Sequence, residues 1–363
     1  MTVALLLAVV FLAATNGAND NFKGVAMLYG SRRAGYWTSL SWASVTTLAG
    51  SLCSVFVARE LLKAFTGAGL VPADIATQIP FALAVAGGAG ITVALAAWRG
   101  MPISTTHALV GAMSGAGLVA VGLGVQFMSL GAIFLLPLLA SPLLAIIPAL
   151  ALAPVLRRLA ARAAREPECV CRTEAAIITP DGAMLRSGVP ALVTGTNADC
   201  DVHNGRRTWR FDARGVVDML LFLLGGAVSF ARGLNDTPKI AALLLPVAML
   251  DDHLSVLAVG VAMLVGGMLG ARRVARTMSD KITHLDPGAA LAAGFTTALL
   301  VGTASVNGLP VSTTHVSVGA IAGTGIGRPG GIDRRVMSTI ALSWIVTLPI
   351  GALFGALLFG LLP

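Results

Sequence analysis

Apolar residues run almost without interruption through most of this chain, and the polar positions gather in a few short clusters between the runs. Seven runs are long enough, or nearly so, to cross a bilayer: Thr38–Ala58, Ile79–Trp98, Gly131–Leu156, Val216–Phe230, Leu254–Ala271, Ala289–Val306 and Met337–Leu362. A crossing helix needs about 20 such residues. The first apolar dozen resembles a signal peptide but lacks a basic start and a small-residue cleavage site, so it is read as one more membrane helix. The runs are continuous rather than alternating, which excludes a β-barrel. The pattern predicts an all-α polytopic membrane protein.

One segment breaks the pattern. Between Arg157 and Gly215 the chain carries ten Arg and seven Asp or Glu with turn signals such as "TPDG" and "HNG", and it cannot span a membrane. We expect membrane regions at 1–156 and 216–363 and a small soluble insert at 157–215. The pieces "AAIIT" and "ALVTG" suggest some β-structure in the insert.

Composition agrees with this division. Of 363 residues, 56% are hydrophobic and 12% charged, about half the charge of a soluble domain. The net charge of +8 does not imply nucleic acid, because the basic residues sit in loops: Arg32 and Arg33; Arg157, Arg158, Arg162 and Arg165; Arg272, Arg273, Arg276 and Lys281; Arg328, Arg334 and Arg335. By the positive-inside rule these loops face the cytoplasm. Asp251 and Asp252 lie in a loop without basic residues and are expected on the other side.

The polar clusters inside the runs occur twice. "NGAND" ends at Asp20 and "RGLND" at Asp236, and Gly17, Asn19, Asp20 and Lys23 match Gly233, Asn235, Asp236 and Lys239 at a constant offset of 216. "GMPISTTH" and "GLPVSTTH" repeat at an offset of 208. The chain is an internal duplication, and in transporters such repeats meet at the binding site.

Each cluster suggests a chemistry. Pro102 and Pro310 suit a first helical turn and Ser or Thr suits an N-cap, so each hydroxyl cluster reads as a break and a helix start. Free N–H groups and hydroxyls at a helix N-terminus favour a small oxyanion. Ser104, Thr105, Thr106, Ser312, Thr313 and Thr314 are the candidate anion ligands; the alternative is simple capping and packing. A carboxylate in an apolar segment costs about 2.5 kcal/mol or more, which marks Asp20 and Asp236 as functional. With Asn19 and Asn235 they offer hard oxygen ligands to a cation or proton. Lys23 and Lys239 lie one turn further on, and either pair with these carboxylates, reach the anion, or snorkel to the surface. His107 and His315 either titrate or hydrogen-bond between helices. Arg99 and Arg232 have Asn in the equivalent position of the other copy (Asn307 and Asn16); each reads chiefly as a helix-end charge, and the alternative is an asymmetric contact to the anion. Gly111, Gly115, Gly117, Gly319, Gly323 and Gly325 have small-x-x-x-small spacing and read as packing. In the insert, Cys169, Cys171, Cys200 and His203 would make a structural Cys₃His zinc site; the alternative is free thiols. Cys53 is alone.

Together "NGANDNFKG", "PISTTHALVGA", "GLNDTPKI" and "PVSTTHVSVGA" resemble the duplicated signatures of the inorganic phosphate transporter (PiT) family, over both membrane halves but not the insert. The resemblance implies a homodimeric symporter of the inner (plasma) membrane, with inverted repeats and re-entrant hairpins. It implies that phosphate binds the six hydroxyl residues and that Asn19, Asp20, Asn235 and Asp236 hold a coupling Na⁺ or H⁺, with no other cofactor. Many members have Val-Ala-Asn after the first Asp, whereas here Asn21-Phe22-Lys23 follows it, so a fixed charge stands where a neutral amide often sits. That departure leaves the ion open and keeps sulfate as the alternative anion. Phosphate is preferred because it carries a proton that a carboxylate can accept. An anion channel and an intramembrane enzyme with Asp20 and Asp236 as a protonated dyad are the rivals from other classes.

Overall fold

A computed structural model describes residues 1–67, 69–164, 168–178, 184–196, 206–211, 213–247, 251–328 and 331–362. Its membrane part is all helical, and five long helices per half repeat in the same order. In the first half these are α1 (Thr2–Asp20), α2 (Tyr36–Val57), α3 (Ile79–Arg99), α4 (Thr105–Val121) and α5 (Leu136–Ala163). In the second they are α6 (Ala213–Ala241), α7 (Asp252–Gly270), α8 (Pro287–Val306), α9 (Thr313–Gly325) and α10 (Arg334–Leu361). Among the described residues, nine helices are long and apolar enough to cross a membrane. Large apolar side chains such as Leu139, Leu143 and Ile147 on α5 and Leu342, Ile345 and Leu353 on α10 face outward, while charges lie inside. This is the inside-out distribution that a bilayer solvent imposes, and the protein is a multi-pass membrane protein.

The halves interlock rather than sit side by side. Helix α1 packs on α7 and α6 on α2; α4 packs on α10 and α9 on α5. Each contact has its counterpart under exchange of α1–α5 with α6–α10. The small-residue stripes make these crossings close: a Cβ on Gly111 or Gly115 would collide with the Leu348 or Ala352 carbonyl of α10, and one on Gly319 or Gly323 with the Pro142 or Ile146 carbonyl of α5.

Helices α3 and α4 form a hairpin, as do α8 and α9, and the two hairpins enter from opposite ends. The base of the second lies among the basic loops, where Arg157 Nε and Arg328 Nη1 meet Asp286 at 2.7 and 3.0 Å and Arg157 also donates to the Thr324 carbonyl at 2.7 Å. Arg33 pairs with Asp218 and Arg32 with Asp280, each at 3.1 Å, at the same end. The base of the first hairpin closes by Gln126 N–H donating to Leu70 O at 2.9 Å. Nearby, the Phe65 and Phe134 rings stack edge to face at 5.3 Å beyond the far end of α2. The repeats are therefore inverted. The basic loops gather at one end, as the positive-inside reading expects. The loop bearing Asp251 and Asp252 starts α7 at the other end, where His253 meets Phe56 at the end of α2 with ring centroids 6.0 Å apart.

Asp286 fastens the second hairpin. Its side chain caps α8 by accepting the Ala289 N–H at 2.9 Å. Burial alone would raise its pKa, but the Ala289 N–H and the two guanidinium groups outweigh this and hold it below the ordinary 3.8. A depressed carboxylate stabilises the fold above its unfolded pKa, and that contribution is lost as pH falls through the folded value. The thermal midpoint of the solubilised protein is expected to drop more steeply below pH 3.8 than that of Asp286→Asn, which is already lower at neutral pH.

The insert is a three-stranded antiparallel sheet in the order β2-β1-β3, formed by β1 (Glu168–Ile178), β2 (Met184–Thr196) and β3 (Arg206–Phe211). Pro190 is accommodated because β2 is an edge strand. The helices continue past the change in polarity, α5 through Arg157 and Arg158 and α6 from Ala213.

Candidate functional site

The first Asn-Asp motif lies at an interruption of its helix, and the second lies inside a helix that runs on through a proline. Helix α1 ends at Asp20 and continues as a tighter turn over Asn21–Val25; α6 carries Pro238 two residues past Asp236. Both hydroxyl motifs lie in the tips of the hairpins. Gly100 and Gly308 adopt φ of +69°, a left-handed stop that glycine takes without penalty, and an extended link follows. Pro102 and Pro310 sit in that link, two residues before the caps Ser104 and Ser312, not in the first helical turn as the sequence suggested. The cap hydroxyls accept the N–H groups of His107 at 3.2 Å and His315 at 3.3 Å. Ser104 and Ser312 thus hold the helix starts in place.

All four motifs meet in one buried cluster. Asn16 donates to Asp20 and Asp236, each at 3.3 Å, and to Thr105 at 2.9 Å. Thr105 donates to Asp20 at 3.4 Å. Asn19 donates to the Met101 carbonyl at 2.9 Å, and Asn235 to Thr313 at 3.1 Å and the Val311 carbonyl at 3.2 Å.

The lysines are buried, which overturns the snorkelling alternative; Lys23 is 0% and Lys239 1% exposed. Each reaches across to the other repeat. Lys23 Nζ donates to Thr314 at 2.6 Å and to the Ile103 carbonyl at 2.8 Å, and it pairs with Asp20. Lys239 Nζ donates to Thr106 at 3.0 Å and to the Val311 carbonyl at 2.8 Å, with Asp236 at 3.8 Å. Thr106 and Thr314 are equivalent positions, as are Ile103 and Val311.

Arg232 is the largest fully buried side chain among the described residues, which corrects its reading as a helix-end charge. It donates to Asn16 Oδ1 at 2.6 Å, Asn21 Oδ1 at 3.1 Å and Thr47 Oγ1 at 3.3 Å, and lies 3.5 Å from Asp236. Asn21 and Thr47 were not singled out by the sequence. The signal for the Asn16–Arg232 contact was the break in symmetry: the two are equivalent positions, and equivalent positions beside a two-fold axis touch each other. His107 and His315 do the same, with ring centroids 4.7 Å apart, and His315 Nδ1 donates to the Leu138 carbonyl at 2.9 Å. Arg99 remains an exposed helix-end charge over the Trp98 ring at 5.5 Å.

The zinc reading falls largely outside the described residues. Cys169 and Cys171 lie in β1, whereas Cys200 and His203 are not among the described positions. Cys53 is a free, exposed thiol.

The buried constellation is duplicated across the inverted repeats, and comparison with known proteins identifies the family. The sequence pattern of the phosphate transporter family matches residues 16–355. The chain belongs to the phosphate transporter family. A probable low-affinity inorganic phosphate transporter of Mycobacterium bovis is 29% identical over 96% of this chain and 74% of its own length. The chloroplastic inorganic phosphate transporter 2-1 of Arabidopsis thaliana is 27% identical over 97% of this chain and 70% of its own. A solved structure of a sodium-dependent phosphate transporter superposes with a TM-score of 0.73 over 99% of this chain and 98% of that one, at 21% identity; it supports the fold. Membership in a family of transporters sets aside the intramembrane enzyme.

Proposed function

We propose that the protein imports inorganic phosphate across the cell (inner) membrane, coupled to Na⁺ or H⁺, by alternating access of its two inverted halves. The observation that carries this reading is the crossed pair of lysines. Each fixed cation lies against one hydroxyl of the opposite hairpin, so a tetrahedral oxyanion at the hydroxyl motifs would meet donors from both repeats at once. Thr105, Thr106, Thr313 and Thr314 with Lys23, Lys239 and Arg232 are the proposed phosphate-facing groups. Ser104 and Ser312 shape the two helix starts. Asp20 and Asp236, held by Asn16, Asn19 and Asn235, are the proposed coupling carboxylates.

Rocking of one half against the other would exchange these cross-repeat bonds, which gives alternating access a structural basis. Phosphate is favoured over sulfate because it brings a proton into a site with two carboxylate acceptors, and because the family is one of phosphate transporters.

Thr106→Val and Thr314→Val preserve shape and remove one hydroxyl each. Each is expected to raise the KM for phosphate about tenfold, the worth of one hydrogen bond to a charged group. Initial uptake rates over a phosphate series measure this, and unchanged KM in both variants would contradict the assignment.

A further inference from the structure

The surroundings of Lys23 Nζ are those of a bound metal cation. Besides the Asp20 carboxylate, its oxygen neighbours are Asn19 Oδ1 at 2.8 Å, the Ile103 carbonyl at 2.8 Å and Thr314 Oγ1 at 2.6 Å. An ammonium has three N–H donors, so four oxygens are more than its hydrogen bonds use. The shell combines a carboxylate, an amide, a main-chain carbonyl and a hydroxyl, all hard oxygens of the kind that hold a hard cation. They come from three places: the end of α1, the extended link after α3, and the start of α9 in the other repeat.

Repeat 2 is built differently. Lys239 has Val311 O and Thr106 Oγ1 within 3.0 Å, but Asp236 stands off at 3.8 Å. The amide of Asn235 donates to Val311 and Thr313, and the Phe65 ring lies 5.6 Å from Nζ. The oxygen cage belongs to repeat 1.

We propose that Lys23 is a tethered cation: its ammonium fills an oxygen cage that would otherwise bind a free monovalent metal ion such as Na⁺, so sodium has no site in repeat 1 of this protein. The charges support this. Asp20 and Asp236 contribute two negative charges to the cluster, and Lys23, Lys239 and Arg232 three positive ones. An arriving anion meets a net positive site without an added metal ion. The inference deepens the transport reading above by removing sodium from this cage.

The test is equilibrium binding of ²²Na⁺ to the purified full-length protein, which needs no phosphate and so separates this inference from the transport reading. Wild type is compared with Lys23→Ala, Lys23→Asn and the double variant Asn19→Ala/Lys23→Ala. Removing the ammonium is expected to add one saturable Na⁺ site per chain in both single variants, and removing the Asn19 oxygen to abolish that gain. Two single variants guard against one failing to fold. Equal sodium binding by wild type and both Lys23 variants would overturn the proposal. Absence of phosphate uptake under every gradient, with the sodium gain present, would instead count against the transport reading alone.

Discussion

Asp20→Asn is expected to reduce phosphate uptake about 100-fold or more at equal abundance in the membrane, the effect of about 3 kcal/mol. The substitution keeps the shape and removes the charge. Asp20 holds Lys23 and accepts from Asn16 and Thr105 in a cluster without exposed members. Breaking a buried ion pair from one side leaves an uncompensated charge and costs about 3–5 kcal/mol. Asp236→Asn should act in the same direction but less severely on stability, since its lysine stands 3.8 Å away. Uptake at the wild-type rate by both variants would sink the role of the carboxylates. Initial rates normalised to protein in the membrane, with the thermal midpoint measured alongside, distinguish a lost function from a lost fold.

Arg232→Met should be as damaging, through a different route. The guanidinium ties the interruption of α1 to α2 and α6 through Asn16, Asn21 and Thr47. Removing it leaves the Asn16 side-chain oxygen without its donor, Asn21 Oδ1 with Thr47 alone, and Asp236 with Lys239 at 3.8 Å as its remaining cation. Orphaned buried acceptors cost about 1–3 kcal/mol each, so uptake should fall below detection and the thermal midpoint should drop. Arg232→Lys should not restore uptake, because a single ammonium cannot reproduce a planar fork that serves separate acceptors. Full activity of Arg232→Lys would show that only the charge matters.

Local features of the site were readable from the chain because they are local physics. The caps at Ser104 and Ser312, the small-residue stripes on α4 and α9 and the duplication itself depend on neighbours in sequence. Inversion was not readable in that way. It depends on which end of the molecule closes each hairpin, and that is decided by Asp286 meeting Arg157 and by Gln126 meeting Leu70. The burial of Lys23 was hidden for a similar reason. A lysine one turn past an aspartate reads equally well as a surface charge, and what buries this one includes a hydroxyl 291 residues away. Arg232 was under-weighted because its partners Asn21 and Thr47 lie in the other half of the chain. In the insert, β2 contains "ALVTG" and β1 ends on the "AAII" of "AAIIT", the two apolar pieces that suggested strands. β3 was not anticipated, because "RRTWRF" lacks their apolar pattern.

The most direct test of coupled phosphate import is accumulation of labelled phosphate in proteoliposomes under an imposed cation gradient, with and without excess sulfate. The account predicts uphill accumulation of phosphate that follows the gradient and is untouched by sulfate. Displacement by sulfate with accumulation of labelled sulfate, or a phosphate flux that merely equilibrates whatever the gradient, would contradict it.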